Sequence, residues 1–166
     1  MNRRRFLQTT SAAAALVLIP PEHLMAKTTP RRVLWAANVR TKPLNERLIA
    51  ANEGGFDAMS VFPIDYKTWH AEGMSAAQIR SRFAAAGVDA AIVDPFVQWV
   101  PDFAIPAGYP SENIAFIDHS EADVFAMADG LGASQMNIVE GLGQQYERTA
   151  LIDALGGLTD RAAVRR

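Results

Sequence analysis

Side chains that could bind a small ligand follow the ends of four apolar runs in this sequence. They carry carboxylates, amides, a guanidinium, a phenol and an indole, and the set is Asn38, Arg40, Asp65, Tyr66, Asp94, Gln98, Trp99 and Glu140. Polar groups of these kinds orient hydroxyls, and indole faces cover apolar ring surfaces. If the four runs are parallel strands, their carboxyl ends meet at one edge of the sheet, where the set would form a sugar-binding site.

Two carboxylates of this set, Asp94 and Glu140, could act together as a general acid and base. We therefore predict that Asp94 and Glu140 are catalytic and that the other six side chains bind substrate. Other roles stay open: Asp94 precedes Pro95 and could accept backbone N–H bonds in a turn, and Glu140 could be a surface or capping residue. Trp35 is predicted to lie in the core, and a core position stays open for Trp99.

A nine-residue phrase occurs twice and indicates how the fold is built. Gly55–Pro63 reads GFDAMSVFP and Gly87–Pro95 reads GVDAAIVDP, and their first residues are 32 positions apart. Gly132–Glu140 is a faded third copy. A helix-like stretch ends at each glycine and an apolar run follows, so a period of this size fits one repeated βα unit.

Four strands and four helices are predicted in strict alternation. The strands are residues 33–38 and the three copies of the phrase. The helices begin at Pro43, after a capping box formed by Ser75 and Gln78, after a cap at Ser120, and at about Gln144. Residues 96–119, with three prolines, are predicted to be irregular. Strict alternation predicts an α/β fold with a parallel sheet and right-handed crossovers.

The order Trp35-Ala-Ala-Asn, Gly55-Phe-Asp-Ala, Gly87-Val-Asp-Ala and Asp94-Pro95 resembles the xylose isomerase-like TIM-barrel superfamily, which includes sugar phosphate isomerases and epimerases and endonuclease IV. The resemblance covers residues 33–155 and four of the eight βα units of a barrel, the N-terminal half. A flavodoxin-like open sheet is the alternative fold.

The resemblance implies an isomerase or epimerase that moves a proton on a small sugar or polyol with the help of a divalent metal. In the epimerase branch two Glu, an Asp and a His on the later strands hold that metal, and no residue of this chain maps onto those ligands. Endonuclease activity is disfavoured, because Asp94 and Glu140 stand where that branch places histidines. The alternative is a non-catalytic or truncated half-barrel that binds a ligand or forms a homodimer.

The N-terminus predicts export. Asn2-Arg-Arg-Arg-Phe-Leu-Gln8 resembles a twin-arginine signal, so residues 1–26 are predicted to be a signal peptide, 27–32 a linker and 33–166 the partial barrel. The protein would then be periplasmic or otherwise exported. Without the signal, 13 basic and 17 acidic residues remain, which does not fit a nucleic-acid binder. No second apolar run could cross a membrane, and the absence of cysteine excludes thiolate chemistry.

Overall fold

A four-stranded parallel sheet organises the protein. The computed structural model describes residues 30–140 and 142–165, and the described residues from Arg31 onward pack as one compact unit. The sheet order is β1-β2-β3-β4, and every neighbouring pair is parallel. The strands are β1 (Val33–Leu34), β2 (Ala58–Val61), β3 (Asp89–Phe96) and β4 (Gln135–Ile138). The predicted signal peptide lies outside the described residues.

Six α-helices and one 3-10 helix accompany these strands in the described part of the chain. They are the 3-10 helix (Ala36–Val39), α1 (Leu44–Glu53), α2 (Pro63–Ala71), α3 (Ala76–Ala85), α4 (Ser111–Ile117), α5 (Glu121–Leu131) and α6 (Arg148–Ala163). The prediction of four helices was therefore wrong. Proline at the first helical position favours α2, because its fixed φ suits a helix and no N–H bond is lost there. The short helix α4 lies inside the stretch that was predicted to be irregular.

The first strand is shorter than its apolar sequence predicted. The ladder to β2 includes only Val33 and Leu34, and the chain then turns into the 3-10 helix. The Ser60 hydroxyl oxygen accepts a hydrogen bond from the Ala36 N–H at 3.0 Å. This N–H therefore has a partner although it makes no bond to a neighbouring strand. Asn38 consequently lies in the 3-10 helix and not in a strand.

The helix caps follow the sequence closely. Ser75 with Gln78 and Ser120 with Asp123 form reciprocal capping boxes at the starts of α3 and α5, which confirms the predicted cap at each serine. Gly132 ends α5 in the left-handed conformation, with φ 73°, which an L side chain adopts only with strain. These boundaries set the direction from which each strand enters the sheet.

The apolar core lies between the sheet and the helices. Met59, Val93 and Phe96 from the strands are fully buried against helical side chains such as Phe83 and Val124. Because side chains alternate along a strand, the residues between them point to the opposite face. We call that opposite side of the sheet the inner face. Among the described residues, no helix is both long and apolar enough to cross a membrane.

The strand order distinguishes between the two predicted folds. In a flavodoxin-like sheet the chain reverses direction across the sheet, so that β1 lies between β2 and β3. Here β1 is an edge strand and the order is sequential, as in consecutive units of a barrel. The α/β prediction with four parallel strands, like part of a TIM barrel, is confirmed, and both β1 and β4 have an unpaired edge among the described residues.

Candidate functional site

Four polar side chains lie near one another on the inner face, at two successive levels of the sheet. They come from the residue after β1 and from β2, β3 and β4, and we call them the layer. Ser60 pairs with Ile92, so Asp94 lies two residues beyond the level of Ser60. Trp35 follows Leu34, which pairs with Met59, so Trp35 comes level with Ser60 on β2. Asp94 follows Val93, which pairs with Met136, so Asp94 comes level with Asn137 on β4. All four residues lie near the carboxyl ends of their strands, where α/β folds with parallel sheets place their ligands.

The Asp94 carboxylate is the centre of this layer. The Trp35 Nε1–H donates to Asp94 Oδ2 at 2.7 Å, and the Asn137 Nδ2–H donates to Asp94 Oδ1 at 2.6 Å. Asp94 is only 5% exposed, although it is ionisable. A buried carboxylate is costly unless donors satisfy it, so the indole and the amide both stabilise Asp94 and fix its orientation.

An open cavity of about 540 Å³ lies over this layer. Its polar lining comes from Trp35, Ser60, Asp94, Asn137 and Gln135, and its apolar lining from Val33, Ile92 and Met136. Trp35 is 56% exposed, so its ring face is available to a ligand and its predicted core position was wrong. A carboxylate can accept about four hydrogen bonds, and the protein supplies two to Asp94, so it can still accept ligand hydroxyls.

Glu140, the other predicted catalytic residue, lies beyond the end of β4. Its side chain is exposed and it does not line the cavity that Asp94 lines. Burial, and to a lesser degree the negative charge of Glu140, raise the pKa of the Tyr146 phenol. The hydrogen bonds to Asp94 come from Trp35 and Asn137, so an acid/base pair of Asp94 with Glu140 stays a prediction.

Asp65 is engaged in a buried ion pair. It lies on α2, where both carboxylate oxygens accept bonds from the Arg47 guanidinium of α1. The side chains of Arg47 and Asp65 are 7% and 13% exposed. Arg47 also donates to the backbone carbonyls of Arg40 and Lys42, so the pair ties the loop after β1 to α2. The Asp65 carboxylate thereby stabilises the fold.

Tyr66 also points away from the inner face. Its ring packs edge-on against His70 at 4.5 Å between centroids, and its hydroxyl lies directly beside Gly130 of α5. A side chain at Gly130 would meet that hydroxyl at 2.7 Å. Burial raises the pKa of the phenol. The structure therefore places Tyr66 in the packing between α2 and α5, which corrects its predicted position at the strand ends.

The remaining predicted residues lie in the loops around the strand ends. The Arg40 guanidinium stacks over the Phe116 ring at 3.7 Å, and Gln98 Nε2 donates to the Ile117 carbonyl at 3.2 Å. Trp99 is half-buried and its Nε1–H donates to the Val139 carbonyl at 2.8 Å, which joins the loop after β3 to the end of β4. Asn38 is exposed. These contacts position loops, and none of the four side chains lines the cavity.

Three residues of the layer were missed by the sequence analysis: Trp35, Ser60 and Asn137. Ser60 and Asn137 both occupy the sixth place of the repeated phrase, where the second copy has Ile92. A polar residue in the middle of an apolar strand, at the same place in two copies, was the available signal. It identifies the position that points to the inner face.

The inner face alone does not suit a divalent cation. Such ions take several oxygen or nitrogen ligands, whereas among the described residues Asp94 is the one carboxylate in the cavity lining, and donors already engage both its oxygens. No group of three or more His, Asp or Glu side chains among residues 30–140 and 142–165 could hold a metal ion.

Comparisons with known proteins support the fold. No protein-family model matches the chain, and no curated protein sequence matches it. A solved structure described as a xylose isomerase-like TIM barrel/4-hydroxyphenylpyruvate dioxygenase fusion protein is similar, with a TM-score of 0.58 and 18% sequence identity. The match covers 81% of this chain and 20% of that protein. The chain therefore has the fold of part of a TIM barrel and spans about a fifth of that larger protein.

Proposed function

We propose that the inner face binds a small sugar or polyol as part of a xylose isomerase-like barrel of the sugar phosphate isomerase/epimerase type. The observation that carries this proposal is the buried Asp94 carboxylate, held by Trp35 and Asn137 beneath an open cavity at the strand ends. Similarity of fold to a xylose isomerase-like barrel supports the same assignment.

Each residue of the layer makes a different kind of contact with such a ligand. The free lone pairs of Asp94 accept hydrogen bonds from ligand hydroxyls, and the carboxylate is already oriented before the ligand arrives. The exposed Trp35 ring covers the apolar C–H face of a sugar. Val33, Ile92 and Met136 provide an apolar lining against which the carbon skeleton can lie.

Proton transfer in this proposal needs groups that the inner face does not offer. A divalent metal would stabilise the negative charge that develops when a proton leaves the carbon next to a carbonyl. Its ligands would come from outside the described residues, because the single carboxylate of the cavity does not fit a metal. Binding and orientation of the ligand are the part of the reaction assigned to this chain.

A non-catalytic half-barrel is the second candidate, and the two open sheet edges favour it. Unpaired edges tend to find partners. In a homodimer with a twofold axis along the barrel, β4 of one copy would lie parallel to β1 of the other and complete eight strands. Such a dimer would bind the same class of ligand on two equivalent layers. We also propose that the chain is exported by the twin-arginine route, on the strength of Arg3-Arg-Arg-Phe-Leu7.

The test is calorimetric titration of the full chain with pentoses, hexoses, their ketose forms and the corresponding polyols. Trp35→Ala removes both the indole N–H and the ring face, whereas Trp35→Phe removes the N–H and keeps an aromatic face. If the ring carries binding, the alanine variant binds about 3- to 10-fold more weakly than the phenylalanine variant, the equivalent of about 0.5–1.5 kcal/mol. Equal affinities would show that the ring does not bind the ligand.

Two further measurements separate the candidates. Saturable binding without turnover, in the presence of added Mg²⁺ or Mn²⁺, supports the non-catalytic half-barrel. Turnover that depends on the added metal supports the isomerase. Failure of every sugar and polyol to bind overturns both assignments for this chain. Sedimentation velocity then reports whether the chain is a dimer at the concentration of the titration.

A further inference from the structure

His119 lies at the corner between α4 and α5 in an unusual environment. It is 3% exposed, and in the part of the chain that the structure describes neither ring nitrogen has a hydrogen bond of normal geometry, although the Ala115 carbonyl lies near enough to affect the pKa of the ring. The corner is short, since Asp118 caps the end of α4 and Ser120 caps the start of α5. Burial of two polar nitrogens without partners is unfavourable, and burial of an imidazolium there would be more so. The packed corner therefore requires the neutral ring.

Charged groups face His119 from each of the three helices that meet here. Lys67 comes from α2, Asp118 from the end of α4 and Asp123 from α5. Burial and the positive charge of Lys67 lower the pKa of the His119 imidazole, while the Ala115 carbonyl and the carboxylates of Asp123 and Asp118 act more weakly in the opposite direction. The Lys67 Nζ lies 3.4 Å from Asp123 Oδ2, so each charge partly screens the other.

The helix that ends at this corner holds several loops of the strand-end side together. Phe116 of α4 lies under the Arg40 guanidinium at 3.7 Å and packs edge-on against Phe62 at 6.0 Å between centroids. Gln98 donates to the Ile117 carbonyl and to Asp118 Oδ1, at 3.2 and 3.1 Å. These contacts link α4 to the segments that follow β1, β2 and β3. A displacement of α4 would release all three.

We propose that His119 is an acid-sensitive latch: protonation of its ring opens the corner between α4 and α5 and frees the segments that follow β1, β2 and β3. The device does not depend on the proposed ligand. It requires only that the protonated ring is accommodated in an opened corner and not in the packed one.

The direction of the pH dependence follows from linkage. Above about pH 6.5, His119 is neutral in both the packed and the opened corner, so pH has no effect through this residue. Below that value the opened corner binds a proton and the packed corner does not. The opening constant then rises by up to about tenfold for each pH unit. The rise ends when the pH falls through the lowered pKa of the packed state.

The experiment is hydrogen exchange of the full chain between about pH 7.5 and about pH 4.5, a range that spans the ordinary histidine pKa, followed by mass spectrometry of peptides within residues 111–123. Exchange is divided by its intrinsic rate at each pH. The parent protein should lose up to about tenfold protection per pH unit below about 6.5. His119→Phe, which removes the titrating group, should lose this dependence. The matched control His70→Gln, at an exposed histidine of α2, should retain it.

Two further measurements keep the inference testable if His119→Phe does not fold. Lys67→Met removes a charge that lowers the His119 pKa in the packed corner, so that pKa should rise toward the ordinary histidine value. The pH range over which protection falls, which lies between these two pKa values, should therefore narrow. The His119 imidazole resonances of the parent protein, followed by NMR, should titrate below about pH 6.5. An imidazole that titrates at about pH 6.5 without loss of protection overturns the latch, as does unchanged pH dependence in His119→Phe or Lys67→Met.

Discussion

Exchange of the donor and the acceptor between positions 94 and 137 tests the central hydrogen-bond arrangement of the inner face. In the parent protein Asp94 accepts from both Trp35 and Asn137. Asp94→Asn keeps the shape but replaces one acceptor oxygen by an NH₂ group. The remaining oxygen accepts from Trp35, and the NH₂ group donates to the Asn137 carbonyl oxygen once that amide rotates by 180°, so both bonds persist as bonds between neutral groups.

The magnitude follows from the two bonds. A hydrogen bond to a charged group contributes about 1.5–3 kcal/mol, and a neutral one about 1 kcal/mol. Asp94→Asn weakens both bonds from charged to neutral, at a cost of about 0.5–2 kcal/mol each. We therefore expect the free energy of unfolding to fall by about 1–4 kcal/mol. With a urea slope of about 2 kcal/mol/M, the midpoint moves down by about 0.5–2 M.

The double variant D94N/N137D should recover much of this loss. The oxygen of the amide introduced at position 94 then accepts from the Trp35 indole, and the NH₂ group of the same amide donates to the new carboxylate at position 137. Asn137→Asp alone places two carboxylates in contact and should be destabilising. The assay is a double-mutant cycle by urea unfolding followed by circular dichroism. A cost below about 0.5 kcal/mol for Asp94→Asn, or a double variant no more stable than the sum of the single losses, would refute the proposed hydrogen-bond geometry.

The other predictions concern stability away from the inner face. Asp65→Ala leaves the buried Arg47 guanidinium without its carboxylate, and we expect the free energy of unfolding in urea to fall by about 3–5 kcal/mol. The control Lys42→Ala removes an exposed i,i+4 pair with Glu46 and should cost less than about 1 kcal/mol. Ser120→Ala removes the cap of α5 and should cost about 1 kcal/mol by the same measurement. Comparable losses of unfolding free energy for Asp65→Ala and Lys42→Ala would contradict the first expectation. An unchanged urea midpoint for Ser120→Ala would contradict the second.

The repeated phrase was a good guide to the fold because it combines a local stop signal with a buried strand. Glycine at the helix end and an apolar run after it are both short-range features. They placed three of the four strands, although each observed strand occupies only part of its phrase or extends one residue past it. The sheet order, in contrast, depends on pairing between distant segments.

The missed helices show where local pattern was insufficient. Pro63 was included in the second predicted strand and Pro110 in the predicted irregular stretch, yet Pro63 begins α2 and Pro110 directly precedes α4. Proline at such a position lacks an N–H that a helix start would leave unpaired in any case, so it favours helix entry as much as it favours a turn. The choice between the two depends on packing, here of Trp69 and Ile117 into buried positions.

The predicted site residues are spread over more than one part of the structure for a related reason. Residues after a strand were assigned to the ligand edge, but Asp65 and Tyr66 lie on a helix whose buried side turns them toward α1 and α5. Asp94 was predicted to be a site residue because it lies at the end of an apolar run. Its neighbours depend on register and reach: Asn137 comes level with Asp94 through strand pairing, whereas Trp35 comes level with Ser60 and reaches Asp94 with its indole.

The arrangement around Asp94 also bears on whether it is structural or functional. An apolar set of similar volume would stabilise a sheet face at least as well as a buried carboxylate with two donors. Structural need alone therefore does not explain Asp94 on the inner face, and this favours the ligand-binding role that we propose. Asp94 itself is 5% exposed, but it lines an open cavity beside the Trp35 side chain, which is more than half exposed. A carboxylate that is oriented by the protein and still accessible to a small molecule is the arrangement that recognition of hydroxyl groups requires.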